Sequence, residues 1–318
     1  MPNHRATVET DLLAEASGTG LTSNAPADDH VAADPAPFPR TTAASPPLAS
    51  PIDSHQVTAE NERAAPGSDS AAGSPLAAEQ APAVASTEPP HDTTGPAPYQ
   101  VLRSLLDNRH TCRAFRPDPV PRETITQILT TAQRTPSGCN AQPWQVIVTE
   151  PPATSRLRKS LLAHIDGAAP ATDIPFPKYH GVYRDRRREC AAALYAAVDV
   201  PRGDHAGTMR QLVRNFEFFD APHLALITTD TAQGSYGVLD CGLYLTSFLL
   251  TAQSLGVATA PQAALATYSP FLHEYFTIPA DRQVVAGISF GYSDPDQPAN
   301  KFRTTRANLS DAVEWHSK

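Results

Sequence analysis

The sequence predicts an α+β fold, and two observations carry that reading. Short β-branched runs stand between long helical stretches without regular βαβ alternation. The helix predicted over Leu239 to Leu255 is apolar around most of its circumference, so it needs cover on nearly all sides, as a core element or a subunit interface.

Each element follows from local pattern. Val101, Leu102, Leu105 and Leu106 fall at helical spacing and run into the basic segment Arg109-His110-Thr111-Cys112-Arg113, where that helix should stop. Ile125, Ile128, Leu129 and Ala132 mark a second helix, with Pro121 suited to an early position. It should end at Thr135-Pro136-Ser137-Gly138, ahead of a short buried strand at Val146-Ile147-Val148. From Arg156 to Phe219 the pattern is helical but less sharp. Ala225 to Thr229 reads as a strand, the apolar helix closes at Gly256, and Val284 to Gly291 supplies another buried strand. The run from Cys241 to Leu272 is uncharged, yet Thr246, Ser247, Gln253, Ser254, Gly256 and Pro261 interrupt any membrane-length window, so it reads as buried helix followed by loop.

Composition divides the chain near residue 97. Residues 1–97 are rich in Pro, Ala, Ser and acid and lack apolar periodicity, so they are expected to be a disordered extension, with residues 98–318 as the folded domain. The extension carries three arginines against thirteen carboxylates, which leaves the remainder near neutral with 22 basic and 20 acidic residues. A nucleic-acid partner is therefore not expected. Neither a transit-peptide nor a secretory-signal pattern is present, and the four cysteines form no C-x-x-C pair, so a cytoplasmic protein with free thiols and no metal site is expected.

Chemistry concentrates in two motifs. Arg109, His110, Thr111 and Arg113 form a compact group of phosphate donors, because forked guanidinium groups and a hydroxyl match phosphate oxygens. Taken alone, such a run also fits a solvated surface. Pro136-Ser137-Gly138-Cys139-Asn140-Ala141-Gln142-Pro143-Trp144 sets small residues beside amides, which suits close backbone approach to a ligand or, equally, a helix-to-strand turn with a core tryptophan. His223 and His273, beside apolar runs, read as structural residues. The cluster Arg184 to Arg188 reads as a solvated helix face, or as a docking point for a phosphate or carboxylate. No G-x-G-x-x-G follows a strand, so a dedicated dinucleotide-binding fold is unsupported.

Together with Gly256-Val257-Ala258-Thr259-Ala260-Pro261-Gln262, Asp240-Cys241-Gly242 at the expected start of the long helix, Gly291-Tyr292-Ser293-Asp294 and Phe302 to Arg306, these motifs make the chain resemble the nitroreductase family of flavoproteins from about Tyr99 to Trp315. Thr111 stands where serine is more usual. The resemblance implies a mixed or antiparallel central sheet packed by helices in an interlocked homodimer, with FMN at the interface. It implies that Arg109, His110, Thr111, Arg113 and Arg306 hold the flavin, that Ser137 and Asn140 reach it from the partner subunit, and that the backbone of Ala260, Pro261, Gln262 and Ala263 lies along the ring edge. The implied reaction takes hydride from NAD(P)H and passes it, in ping-pong fashion, to a nitroaromatic or similar electron-poor small molecule. No side chain is required as a catalytic nucleophile, since the cofactor carries the electrons. The alternatives on such a scaffold are a specialised flavin reductase, dehydrogenase or dehalogenase, or a non-catalytic protein that stores or senses FMN. The segment from Ala168 to Asp204 is the candidate substrate lid.

Overall fold

The computed structural model describes residues 96–317. The expected disordered extension therefore lies almost wholly outside the described residues. The chain runs α1 (Pro98–Asn108), α2 (Arg122–Ala132), β1 (Trp144–Thr149), α3 (Ala153–Ile165), α4 (Gly181–Ala197), α5 (His205–Val213), β2 (His223–Asp230), α6 (Gly234–Ser254), β3 (Ala258–Gln262), α7 (Ser269–Phe276) and β4 (Arg282–Gly291). The four strands form one antiparallel sheet in the order β1-β2-β4-β3. The fold is α+β, as the element order predicts.

The central pair β2 and β4 is buried on both faces, and alternation divides its side chains between two cores. Leu224 and Leu226 of β2 join Leu157 and Leu161 of α3 and Leu272 of α7 on one face. Ala225 and Ile227 join Ile125 and Ile128 of α2 and Tyr244 and Phe248 of α6 on the other. Burying each large side chain contributes about 1.5–3 kcal/mol, so these strands anchor the domain. β1 pairs on one side only, and Val146, Ile147 and Val148 are half-buried rather than buried.

Three expectations need correction. Asp240-Cys241-Gly242 is not the start of the long helix, which begins at Gly234. Gly234, Ser235 and Gly237 are poor helix formers and hide that first turn. Gly237 is needed there because a Cβ would meet the Gln233 side chain at 2.5 Å and Thr229 Oγ1 at 2.9 Å. The stretch after Gly256 is not loop: it holds β3 and α7. Pro261 disguises β3, and its missing N–H is tolerated because β3 is an edge strand. Pro121 precedes the first residue of α2 instead of lying within it.

The helix α6 packs one side into the core through Tyr244, Phe248, Leu249 and Ala252. Its other side leaves Tyr236, Leu239 and Leu243 exposed, and α1 buries none of its residues. Among the described residues no helix is long and apolar enough to cross a membrane.

Candidate functional site

The segment after α1 gathers the cations. At Arg109 the backbone turns extended (ψ 130°), and the chain runs beside β3, with Thr111 bridging Thr259 and Cys112 N–H donating to Thr259 O at 2.9 Å. Phe115 N–H donates to Phe219 O and Arg116 N–H to Tyr292 O, so the segment is fastened at both ends. Cys112, Ala114 and Phe115 are buried, and the extended path sets Arg109, Thr111 and Arg113 at every second position.

Asn300 clips this segment to the C-terminal arm. Its Oδ1 accepts from Arg113 N–H at 2.7 Å, and its Nδ2 donates to Ala114 O at 2.9 Å and Asp294 O at 2.8 Å. It is 5% exposed. Past the clip, Phe302 lies under the Arg113 guanidinium, 5.2 Å from the ring centroid. The same arm delivers Arg303 and Arg306, held by backbone carbonyls and by Thr304 Oγ1.

The result is a cationic cradle. Burial lowers the Arg109 guanidinium from its ordinary value and Arg306 lowers it further. Burial also lowers His110, with Arg303, Arg109 and Arg113 adding repulsion against the donor bond to Asn108 O. Burial lowers Arg113 as well. No carboxylate among the described residues forms an ion pair with Arg109, Arg113, Arg303 or Arg306. His110 donates through Nδ1 to Asn108 O at 3.2 Å, while its buried Nε2 has no hydrogen-bond partner. A buried, unpaired polar atom amid like charges is costly unless an external group satisfies it. Nε2 can accept from a hydroxyl when neutral and donate to phosphate when protonated. The donor set therefore fits a phosphomonoester carried on a polyol, the phosphate and ribityl portion of FMN.

The second motif forms a separate loop. Gly138–Asn140 makes a short 3₁₀ turn in which Cys139 and Asn140 hold φ of 51° and 56°, and Gln142 just beyond it holds 48°. Non-glycine residues in this region cost about 1–2 kcal/mol each, and the cross-links are correspondingly dense. Trp144 Nε1 donates to Gln133 Oε1, Gln133 Nε2 donates to Gln142 Oε1, and Gln142 N–H donates to Ser137 Oγ at 2.9 Å. Gly138 N–H reaches Asp240 Oδ2 of α6 at 3.2 Å. The Asn140 side chain is exposed and makes no hydrogen bond among the described residues. No hydrogen bond joins this loop to the cradle among the described residues.

Other candidate residues lie on or beside β3. Ala260 is fully buried, Pro261 is half-buried and Ala263 is exposed. The Gln262 amide is engaged, donating to Asn215 O at 2.8 Å and accepting from Ser289 Oγ, and its backbone pairs with Gly287 of β4. His223 is structural: Nε2 accepts from Val120 N–H at 2.9 Å, and the ring stacks on Phe290. His273 contacts Asp173 Oδ2 and Ile278 O. That Asp173 also accepts from Val284 N–H, which pins the first part of the Ala168 to Asp204 segment to the sheet. Asn300 and Arg303 are additional site residues; Arg303 lies within the run Phe302 to Arg306, whereas nothing local in the sequence marks Asn300.

The fold and this site define a class. Residues 106–292 match the model of the nitroreductase family, and the chain belongs to that family. It is 32% identical over 219 residues to nitroreductase NfnB of Mycolicibacterium smegmatis, covering 68% of this chain and 93% of that relative. It is 31% identical over 205 residues to a 4-nitrobenzoate reductase of Pseudomonas putida, covering 64% of this chain and 90% of that one. Its fold is similar to the crystal structure of the FMN-dependent nitroreductase NfnB from Mycobacterium smegmatis in complex with NADPH. The TM-score is 0.66 at 30% identity, over 69% of this chain and 99% of that one.

Proposed function

We propose that this chain is an FMN-dependent oxidoreductase that takes hydride from NAD(P)H and reduces nitroaromatic or similar electron-poor small molecules. The observation that carries the reading is the cradle: cations without carboxylate partners surround a buried, unpartnered His110 Nε2. Membership of a family with nitroaromatic-reducing relatives supports it. FMN, when bound, supplies the ring that accepts and returns the hydride.

The chain's own residues do the holding. Arg109 and Arg306 grip the phosphate, His110 and Thr111 bond the ribityl side, and Arg113 sets positive charge where reduction of the ring places negative charge. Ala260 to Ala263 offer backbone along the ring. The partner subunit's Ser137 and Asn140 complete the site, which makes the working form a homodimer. Two features favour that arrangement: the exposed apolar residues of α1 and α6, and the absence of any hydrogen bond between the loop and the cradle among the described residues. The enzyme works in the cytoplasm.

The test is an anaerobic absorbance titration of the full chain with NADH and, separately, NADPH, followed by 4-nitrobenzoate. A yellow protein that bleaches with nucleotide and recovers its colour with the nitro compound supports the reading. A yellow protein that neither nucleotide bleaches points to FMN storage, and a colourless one that binds no FMN overturns the cradle assignment.

A further inference from the structure

On α4 the arginines Arg184, Arg186 and Arg188 are exposed, as expected of a solvated helix face, but they do not share one environment. Arg184 pairs with Asp185 at 3.1 Å, and Arg187 lies over the Tyr179 ring at 5.4 Å from its centroid. Arg188 turns elsewhere, lining a cavity of about 560 Å³ between α4, the connection after it and α5. Arg202 and His205 line the same cavity, and no carboxylate does. Among the described residues neither Arg188 nor Arg202 takes part in an ion pair. The nearby Asp204 is already engaged, accepting from Gly207 N–H at 2.8 Å to cap α5 and facing Arg210 at 3.8 Å.

Most of the rest of the wall is apolar, with Thr208 the other polar side chain. Ala192, Val200 and Pro201 line it beside Tyr195, whose phenol burial pushes up from its ordinary value. The volume lies within the range of about 300–1,000 Å³ in which small-molecule sites are found, where apolar walls supply contact and a few polar groups fix orientation. Two arginines match a carboxylate through forked donors, and an aromatic ring suits a planar body. None of the cradle arginines lines this cavity.

We infer that the cavity between α4 and α5 is a binding site for a small aromatic carboxylate, its anionic group held by Arg188 and Arg202 and its ring seated against Tyr195, Ala192 and Val200. The inference stands without the flavin assignment, since it uses no residue of the cradle. It does connect to that region through α4. Glu189, the next residue, accepts from Thr305 Oγ1 at 3.1 Å on the arm that carries Arg306.

The test is calorimetric or saturation-transfer NMR titration of the full chain, as isolated, with benzoate and with its neutral match benzamide at constant ionic strength. Benzoate is expected to bind one per chain, about tenfold or more tighter than benzamide. Arg188→Gln and Arg202→Gln should each weaken benzoate by about tenfold, with flavin absorbance unchanged. Ala192→Phe should block the site sterically while leaving every charge in place. Arg109→Gln should leave benzoate binding intact even where it removes flavin, which separates this inference from the cradle reading. Equal binding of benzamide, or native benzoate affinity in the Arg188→Gln/Arg202→Gln double variant, overturns the proposal. Displacement of benzoate by adenosine 2′,5′-bisphosphate at far lower concentration also overturns it, in favour of a nucleotide phosphate.

Discussion

The centre of the sheet and the cationic cradle, which lies beside the β3 edge, obey opposite rules. In the centre every contact favours the folded chain: Leu226, Ile227, Ile288 and Phe290 are buried, and each strand neighbour improves the packing of the next. In the cradle the contacts oppose folding, because Arg109, Arg113, Arg303, Arg306 and His110 are drawn together with no internal counter-charge among the described residues. A folded domain keeps such an arrangement only where an external anion offsets it. The first region explains why the chain folds, and the second carries the proposed FMN site.

The largest effect expected of a single substitution lies in the centre. Phe290 is fully buried, stacks on His223 and meets Phe248 edge-on, so Phe290→Ala should lower unfolding stability by about 3–5 kcal/mol in a denaturant titration. FMN affinity, measured where the variant is still folded, should move far less. A variant that melts normally but loses flavin would break the contrast.

The reciprocal experiment is Arg109→Gln. Losing a charge-assisted bond to phosphate removes about 1.5–3 kcal/mol of binding, so the FMN dissociation constant should rise roughly 10–100-fold by flavin fluorescence. The flavin-free protein should melt no lower than the native apoprotein, because a repelling charge has been removed. A marked fall in apoprotein stability would show that Arg109 serves the fold.

Asn300→Ala tests the seam between the two regions. It strands Arg113 N–H and the carbonyls of Ala114 and Asp294, which should cost about 1–3 kcal/mol and weaken FMN binding together. Asn300→Asp keeps the acceptor but sets a carboxylate oxygen against the carbonyls of Ala114 and Asp294, so it should recover neither.

The smallest effect is acid sensitivity. Burial lowers His223, and its Nε2 must stay unprotonated to accept from Val120 N–H. The stability it contributes is present above the ordinary histidine value of about 6.5 and is lost as pH falls through the lower folded value. His223→Gln should flatten that acid limb in melting curves recorded between about pH 7 and 5. An unchanged limb would assign it to other groups.

Much of this was legible in the sequence where the signal is local. The β-branched runs of β2 and β4 mark buried strands, and the arginine spacing after α1 marks the segment where the structure gathers its cations. Features that depend on distant partners were hidden. β3 carries a proline that argues against a strand until its edge position is known, and the first turn of α6 is masked by glycines whose reason is the proximity of Gln233 and Thr229. Asn300 acts on Arg113 across 187 residues of chain, a distance over which no periodicity speaks. The cavity beside Arg188 depends on how two helices splay, and the run of arginines reads alike whichever way each one turns.

The edge at β3 has one further bearing. An unpaired strand edge is a template on which another chain can add a strand, and proteins guard such edges. Here the guard is double: Pro261 withholds an N–H, and Cys112 occupies the Thr259 carbonyl. The segment that carries Arg109, Thr111 and Arg113 thus also covers part of the edge of β3, so the path of the chain beside the sheet and the placing of those side chains are one feature.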